Sequence, residues 1–220
     1  MPRGPDRTLD VLLLFREAPA GGLGVTEIAE ALGLYKSMAH RILAALEERG
    51  LVRQDLPGRR YRLGYSALAL AGSFIAATPL VQAALPELER LEQACGAPAA
   101  LYVADGPEQV CLAATGAALA ALGERRPLLP AAPGMVLLAY ADAVERGGLL
   151  GALANRVELD PGAMAVELER VRRQGWAAGG GAVAAPVWRG RSLLAALAVR
   201  SDDAERCVPA LARAAAAIFR

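Results

Sequence analysis

The sequence predicts an α+β protein in two parts: three helices closed by a β-hairpin, followed by a larger part built on an antiparallel sheet. The chain has 220 residues, which is long for one domain and suits two domains of roughly 100 residues each. Its composition, 55% hydrophobic and 21% charged, is that of packed globular structure rather than of a disordered chain. Apolar residues recur first at helical spacing and later in strand-like runs, and this sets the order of the elements.

Helical periodicity opens the first part. Asp6 can cap a helix that ends near Phe15, before a stretch with proline and two glycines. Thr26 can cap a short second helix that Gly33 ends, and a third helix covers residues 35–49. We therefore predict two helices joined by a tight turn, preceded by a third.

A β-hairpin is predicted next. Two short alternating segments, residues 51–54 and 60–63, flank a turn that contains Pro57 and Gly58. Three helices followed by a hairpin form a winged helix-turn-helix, in which the N-terminal side chains of the third helix enter the major groove of DNA.

Basic side chains concentrate in this motif, although the whole chain has a formal net charge of only +1. Residues 34–63 contain seven basic and three acidic side chains. Such clustering favours a polyanionic partner, whereas solvated surface charge is the alternative for any single arginine. We predict that double-stranded DNA is bound by Thr26, Lys36, Ser37, Met38, His40, Arg41, Arg59 and Arg60.

The second part begins after a boundary near residues 76–78. A charge-free helical segment leads to it, and Asp160 followed by Pro161 is a helix start signal within it. The predicted domains are a winged helix-turn-helix (1–64), a linker helix (65–78) and a sheet-containing domain (79–220). The predicted elements of the last domain are helices 79–94, 134–153, 162–174 and 203–219 and strands 99–104, 109–114, 182–187 and 193–199.

The inventory of reactive side chains argues against an enzyme. The single histidine, His40, falls in the DNA-binding motif, and Cys95, Cys111 and Cys207 lie far apart without a CxxC pair. This leaves no general base for a cysteine and no ligand set for zinc, so no cofactor or metal is expected. Residues 179–181 are three glycines without the lysine of a phosphate loop, which predicts a flexible turn. The separated cysteines and the absence of a signal-peptide pattern indicate a reducing, cytoplasmic protein.

Residues 63–86 carry no charge, which is long enough to raise the question of a membrane span. Alanine dominates the stretch and polar residues interrupt it, so we predict a buried or dimer-facing helix and no membrane partner. The apolar rows that predict at least a dimer are Leu68, Ala71 and Ile75 on one side and Leu70 and Phe74 on another.

Five segments of the first part together form a recognisable pattern: GVTEIAEALGL from Gly24, Lys36-Ser37, HRIL from His40, LEERGLVR from Leu46 and YRLG from Tyr61. In these segments the chain resembles the IclR family of bacterial regulators. The resemblance continues more weakly over nearly the whole chain. It implies a DNA-binding winged helix, a linker helix and a GAF-like α/β effector domain for small metabolites, often aromatic or carboxylate-bearing. It also implies dimers that bind operator DNA and often pair further into a dimer of dimers.

The same resemblance assigns an effector pocket, in which this chain departs from the family pattern. Two pocket serines fall at Ala198 and Arg200, the pocket cysteine falls at Ala182, and the segment that begins the pocket helix contains Ala132 and Gly134. The loop after residue 176 is also shorter than in the family and lacks its acidic residues.

Arg200 at the rim of such a pocket would favour an anionic effector, because a guanidinium binds carboxylates in a bidentate manner. The alternative is that Arg200 pairs in water with the nearby Asp202 and Asp203. For the whole domain, the alternative to effector control is a ligand-independent regulator whose shortened second part only oligomerises.

Overall fold

The computed structural model describes residues 4–116, 121–154, 160–201 and 203–219. Contacts between residues divide the chain into two compact units, Met1–Ala77 and Thr78–Arg220. Each unit has its own hydrophobic core. The predicted α+β class is confirmed.

The first unit is the predicted winged helix-turn-helix followed by one further helix. Its core is formed by one face of each of the first three helices and by the hairpin, and includes Phe15, Ile28, Leu43, Val52 and Tyr61. The elements are α1 (Gly4–Leu14), α2 (Val25–Ala31), α3 (Lys36–Glu48), β1 (Val52–Asp55), β2 (Arg60–Leu63) and α4 (Tyr65–Ala76).

Two backbone hydrogen bonds tie the hairpin to the segment before α2. The Leu23 amide donates to the Tyr61 carbonyl at 2.9 Å, and the Tyr61 amide donates to the Leu23 carbonyl at 2.8 Å. Gly22 makes this approach possible: its φ is +76°, and a Cβ there would lie 2.3 Å from the Tyr61 carbonyl oxygen.

The cap of α2 differs from the prediction. Gly24, in extended conformation, is the N-cap, and Thr26 lies inside the first turn. The Glu27 carboxylate reaches back to accept from the Gly24 amide at 3.0 Å, which satisfies a backbone donor that the helix leaves free. The side chain that caps α2 is therefore Glu27 and not Thr26.

The second unit contains a six-stranded antiparallel sheet of order β5-β4-β3-β8-β7-β6. Helices α5 and α9 pack against β3, β7 and β8, and α6 packs against the same three strands. The strands are β3 (Ala99–Asp105), β4 (Glu108–Ala114), β5 (Arg125–Pro127), β6 (Ala177–Gly179), β7 (Ala182–Arg189) and β8 (Ser192–Arg200). The helices are α5 (Pro79–Cys95), α6 (Ala132–Tyr140), α7 (Ala143–Ala154), α8 (Pro161–Gln174) and α9 (Ala204–Ala217).

Strand β8 is buried on both faces. Ala196 and Ala198 belong to the same core cluster as α6. The intervening Leu197 and Val199 are also fully buried, and because side chains alternate along a strand they point to the α5 and α9 side. The sheet therefore lies between two helical layers, and its α6 side is lined by small side chains.

Two predictions for this unit were wrong. The helical pattern 134–153 is two helices, because Ala141 is extended (ψ 147°) and the Asp142 carboxylate accepts from the Glu145 amide at 2.8 Å to start α7. Residues 177–179, expected to lead into a flexible turn, form the edge strand β6 against β7. Such a short strand is set by pairing with its neighbour and has too few residues to show alternation.

No single helix in the described part of the chain is long and apolar enough to cross a membrane. The consecutive helices α4 and α5 reach the necessary length and apolar composition only when they are counted together across the break between them.

Gly134 in α6 is expected to be indispensable for the second unit. A Cβ at this position would lie 1.7 Å from the Leu128 carbonyl oxygen, and backbone cannot move aside cheaply. We expect Gly134→Ala to destabilise this unit by about 3 kcal/mol or more, since overpacking against backbone is costlier than against flexible side chains. Chemical unfolding followed by tryptophan fluorescence measures this, because Trp176 and Trp188, the two tryptophans of the chain, both lie in this unit.

Gly151 in α7 supplies the control. Nothing lies within 4 Å of a Cβ added there. Gly151→Ala should be neutral or stabilising by up to about 1 kcal/mol, because alanine is the better helix former. Equal unfolding midpoints for the two variants would contradict the close approach of α6 to Leu128.

Candidate nucleic-acid interface and effector pocket

Helix α3 presents a polar face and buries an apolar one. Lys36, Ser37, His40 and Arg41 are exposed at i, i+1, i+4 and i+5. Gly33 (φ +60°) makes the turn before the helix, where the Leu34 amide donates to the Ala29 carbonyl at 2.8 Å. The side chains that hold the opposite face in the core are Ala39, Ile42, Leu43 and Leu46.

Met38 departs from the prediction. It is half-buried against the core of the first unit, and its sulfur accepts from Arg7 Nη1 at 3.0 Å. Its place on α3, two residues after Lys36 and one before the buried Ala39, turns it toward α1. Thr26 is likewise half-buried within α2. Both side chains are therefore partly packed within the first unit, whereas Lys36, Ser37, His40 and Arg41 are exposed.

Ion pairs within the unit engage most of the basic side chains of residues 34–63. Among the described residues of this segment, Lys36, Arg41 and Arg59 have no carboxylate partner, and all three are exposed. The paired cations are Arg49 with Glu48 (3.4 Å), Arg53 with Asp55 (3.4 Å), Arg62 with Asp55 (2.6 Å) and Arg60 with Glu27 (2.7 Å).

Arg60 links the hairpin to α2 instead of extending from the hairpin tip as predicted. Its guanidinium donates to both Glu27 carboxylate oxygens, at 3.0 and 2.7 Å, and to the Gly22 carbonyl at 2.7 Å. The Gly24 amide first and Arg60 second hold the pKa of Glu27 below its usual value. The sequence could not show this, because the contact joins residues 33 positions apart.

The hairpin tip is exposed and carries Arg59. Leu56 is 82% exposed, and Arg59 has a φ of +49°, in the left-handed region that non-glycine residues seldom adopt. Gln54 holds this conformation by donating from its side-chain amide to the Arg59 carbonyl at 3.0 Å. Arg59 is thus the tip residue whose guanidinium has no carboxylate partner within the described segment.

The residues predicted to line an effector pocket are packed instead. Ala132 and Ala198 are fully buried in the core cluster between α6 and the sheet, and Gly134 lies against Leu128. Ala182 is buried and pairs with Arg200, which is exposed at the end of β8. The physical reason is size: alanine and glycine side chains let α6 close on the sheet.

The glycine turn also covers the start of α6. A Cβ at Gly179 would lie 2.9 Å from the Pro130 carbonyl oxygen, and one at Gly180 would lie 4.0 Å from the Ala131 Cα. The shortened loop therefore packs directly on the segment that leads into the predicted pocket helix.

Cavities lie elsewhere in the described part of this unit. One of about 260 Å³ lies between α7 and α8 and has a mainly apolar lining with Arg146 and Arg172. A second, of about 370 Å³, lies at the C-terminal end of α6 and includes Asp142, Glu145 and Arg191. A third, also about 370 Å³, is a groove between α5 and α9 whose lining is partly charged and partly apolar.

The cysteines offer no reactive thiolate. All three are buried and reduced. Burial first, then the neighbouring Cys207, raises the pKa of Cys95 to about 12, and burial raises the pKa of Cys111 to about 11. Within the residues that the structure describes, no three His, Cys, Asp or Glu side chains come together as a metal site. The Cys95 and Cys111 thiols are therefore protonated, and all three cysteines sit in the core as small apolar groups.

Comparison with known proteins places this architecture in context. The model of the IclR helix-turn-helix domain matches residues 4–56. The chain is 31% identical to the HTH-type transcriptional regulator XynR of Escherichia coli over 228 residues, covering 91% of this chain and 88% of that protein. It is also 31% identical to the HTH-type transcriptional regulator BhcR of Paracoccus denitrificans, covering 80% of this chain and 66% of that protein.

Solved structures share the fold over nearly the full length. The chain is 26% identical to an IclR transcriptional regulator from Alicyclobacillus acidocaldarius, with a TM-score of 0.79 and coverage of 99% and 98% of the two chains. An IclR homolog from Microbacterium hydrocarbonoxydans, solved with 4-hydroxybenzoate, is 24% identical with a TM-score of 0.83 over 98% and 97% of the chains. The relatives named here are regulators and not enzymes, and this chain belongs to the IclR family of transcriptional regulators.

Proposed function

We propose that this regulator binds double-stranded operator DNA with α3 in the major groove and the hairpin tip against the backbone or the minor groove. The observation that carries the proposal is the selective pairing of charges. Four of the seven basic side chains of residues 34–63 are engaged by carboxylates, and the other three are exposed on α3 and at the tip. Solubility alone does not require that the basic side chains without a carboxylate partner lie on α3 and at the hairpin tip.

The chemistry of each exposed side chain fits a part of the duplex. Lys36 and Arg41 can donate to guanine edges or to phosphates, and Ser37 can donate to or accept from either. His40 lies on the same helix face as Ser37 and Arg41. Arg59 at the tip is suited to a phosphate or a narrow minor groove. Thr26, Met38 and Arg60 support this surface by packing and by holding the hairpin in place.

We further propose that the operator is bound by a homodimer in which α4 meets its counterpart in a second copy. None of the α4 side chains is buried, and Leu68, Leu70 and Phe74 are 69%, 64% and 55% exposed. A helix with mean hydropathy this high and no charge is costly to leave in water. The proposal extends to pairs of dimers, which the second unit would join.

Small-molecule control is the proposed role of the second unit. The fold likeness to the homolog solved with 4-hydroxybenzoate supports it, because that protein holds a small aromatic acid. A second candidate, a ligand-independent regulator whose second unit only oligomerises, is favoured by the packing of Ala132, Gly134 and Ala198 where a pocket was predicted. Thermal shift with small organic acids separates the two, since a ligand bound only by the folded state raises the melting temperature.

Replacing Arg59 by alanine should weaken binding to all DNA sequences alike. Loss of one phosphate contact releases about one counterion fewer, so the slope of log affinity against log salt should become shallower by about 0.9. Electrophoretic shift titrations at several salt concentrations measure this. Arg62→Ala is the matched control, because Arg62 is paired with Asp55 on the same hairpin. Identical slopes for wild type and Arg59→Ala would remove the tip from the interface.

Replacing Lys36 or Arg41 by alanine should change which bases are preferred. One good bidentate base contact discriminates by about 1–3 kcal/mol, or roughly 5- to 150-fold. Selection of bound sequences from a random DNA pool reads out the preference. Arg49→Ala at the opposite end of α3 should return the parental motif, since Arg49 caps the helix by donating to the Ala45 carbonyl. If Lys36→Ala and Arg41→Ala both return that motif, neither side chain reads bases.

A charge placed on the proposed dimer surface should dissociate the protein. We expect light scattering to give at least a dimer for the wild type at micromolar concentration and a smaller species for Leu68→Glu, because a carboxylate cannot be buried without a partner. Ser73→Glu is the control on another side of α4, where the Ser73 hydroxyl donates to the helix's own Ala69 carbonyl. A wild-type monomer, or an unchanged dimer with Leu68→Glu, would exclude this surface.

A further inference from the structure

Two arginines from different helices converge on the C-terminal end of α6. Arg146 of α7 donates from Nη1 to the Ala141 carbonyl at 2.8 Å. Arg172 of α8 donates from Nε to the Ala139 carbonyl. The carbonyls at the end of a helix lack intrahelical donors and carry partial negative charge, so they hold a guanidinium well. Both side chains are half-buried and therefore fixed in place rather than moving freely in water.

The two guanidiniums line one cavity, whose remaining wall is apolar. The cavity of about 260 Å³ is formed by Leu150 on α7 and by Met164 and Leu168 on α8, together with smaller alanine and proline side chains. An apolar cavity of roughly 150 Å³ already holds benzene. This one therefore has room for a six-membered ring or a short alkyl chain with one polar substituent.

The charge around the cavity is not balanced. Arg172 pairs with Glu169 at 3.2 Å. Arg146 has no carboxylate partner among the residues described for this unit, although it is only partly exposed. The nearby acidic side chains Asp142 and Glu145 line the cavity at the end of α6 and not this one. Among the described residues that line the cavity, Arg146 and Arg172 are the charged ones and only Arg172 has a carboxylate partner, which leaves one positive charge for an anion to neutralise.

We propose that the cavity between α7 and α8 binds a small organic monoanion, with its apolar body among Leu150, Met164 and Leu168 and its carboxylate on Arg146 and Arg172. The inference rests on the proposed small-molecule control and gives it a ligand class. The proposed ligand site also differs from the pocket that the sequence predicted around Ala182, Ala198 and Arg200. The arginines are anchored by backbone carbonyls, so little ordering is needed when the anion binds.

Benzoate is the probe, and benzamide is its neutral counterpart of nearly the same size. We expect the full-length protein to bind benzoate at millimolar concentration or tighter in a calorimetric or NMR titration, and benzamide at least tenfold more weakly. Arg146→Gln should lower benzoate affinity at least tenfold, because it removes a charge-assisted hydrogen bond to the carboxylate.

Two further variants separate binding from folding. Ala154→Trp should abolish benzoate binding by filling the cavity while leaving both arginines in place. Arg173→Gln is the matched control, because Arg173 follows Arg172 on α8, is exposed and does not line the cavity. Its affinity for benzoate should equal that of the wild type. Circular dichroism establishes that each variant is folded, because the tryptophan added by Ala154→Trp changes the fluorescence signal.

Three results would overturn the proposal: no benzoate binding by the folded wild type, equal binding of benzoate and benzamide, or undiminished benzoate binding by both Arg146→Gln and Ala154→Trp. DNA binding is measured separately by electrophoretic shift. If the protein binds DNA but not benzoate, the proposed ligand site is wrong and the proposed DNA binding stands. If it binds benzoate as predicted but not DNA, the proposed ligand site stands and the proposed DNA binding is wrong.

Discussion

The joint between the hairpin and α2 is the interaction on which the proposed DNA surface depends. The paired backbone bonds between Leu23 and Tyr61 set the position of the hairpin, and Arg60 fixes it by bonding to Glu27 and to the Gly22 carbonyl. An isolated two-stranded hairpin is marginally stable in water. Together with the bond from the Gln54 amide to the Glu47 carboxylate of α3, this joint holds the tip that carries Arg59 in a fixed position relative to α3.

The ion pairs of the first unit affect the distribution of surface charge more than the stability of the fold. Exposed pairs contribute about 1 kcal/mol or less each, so Arg53 and Arg62 around Asp55 add little to the free energy of folding. Their effect is to offset positive charge along the hairpin, and Lys36, Arg41 and Arg59 are the exposed cations of the described segment that have no carboxylate partner. A chain with almost no net charge can in this way present a local positive surface.

The second unit follows a different constraint, which is side-chain volume. Gly134 allows α6 to touch the Leu128 backbone, and Ala196 and Ala198 let the helix settle on the sheet. Close packing there removes the space in which a ligand was expected and leaves space between α7 and α8 instead. Strand β8 and helix α6 thus belong to the core of this unit.

Local pattern determined much of this protein. The periodicity of apolar residues predicted the order of helices and strands, and Asp160 with Pro161 marked the start of α8, because caps and amphipathic faces depend on residues within one or two turns. The face of α3 with Lys36, Ser37, His40 and Arg41 was predicted for the same reason.

Tertiary structure alone determined the features that depend on contacts between residues far apart in the sequence. The pairing of Arg60 with Glu27, the inward turn of Met38 toward Arg7 and the strand β6 all need contacts that no local pattern contains. The surroundings of the predicted effector residues also depend on distant contacts. Ala132 and Ala198 are small in any arrangement, and the approach of α6 to the sheet determines whether their small side chains leave a pocket or allow close packing.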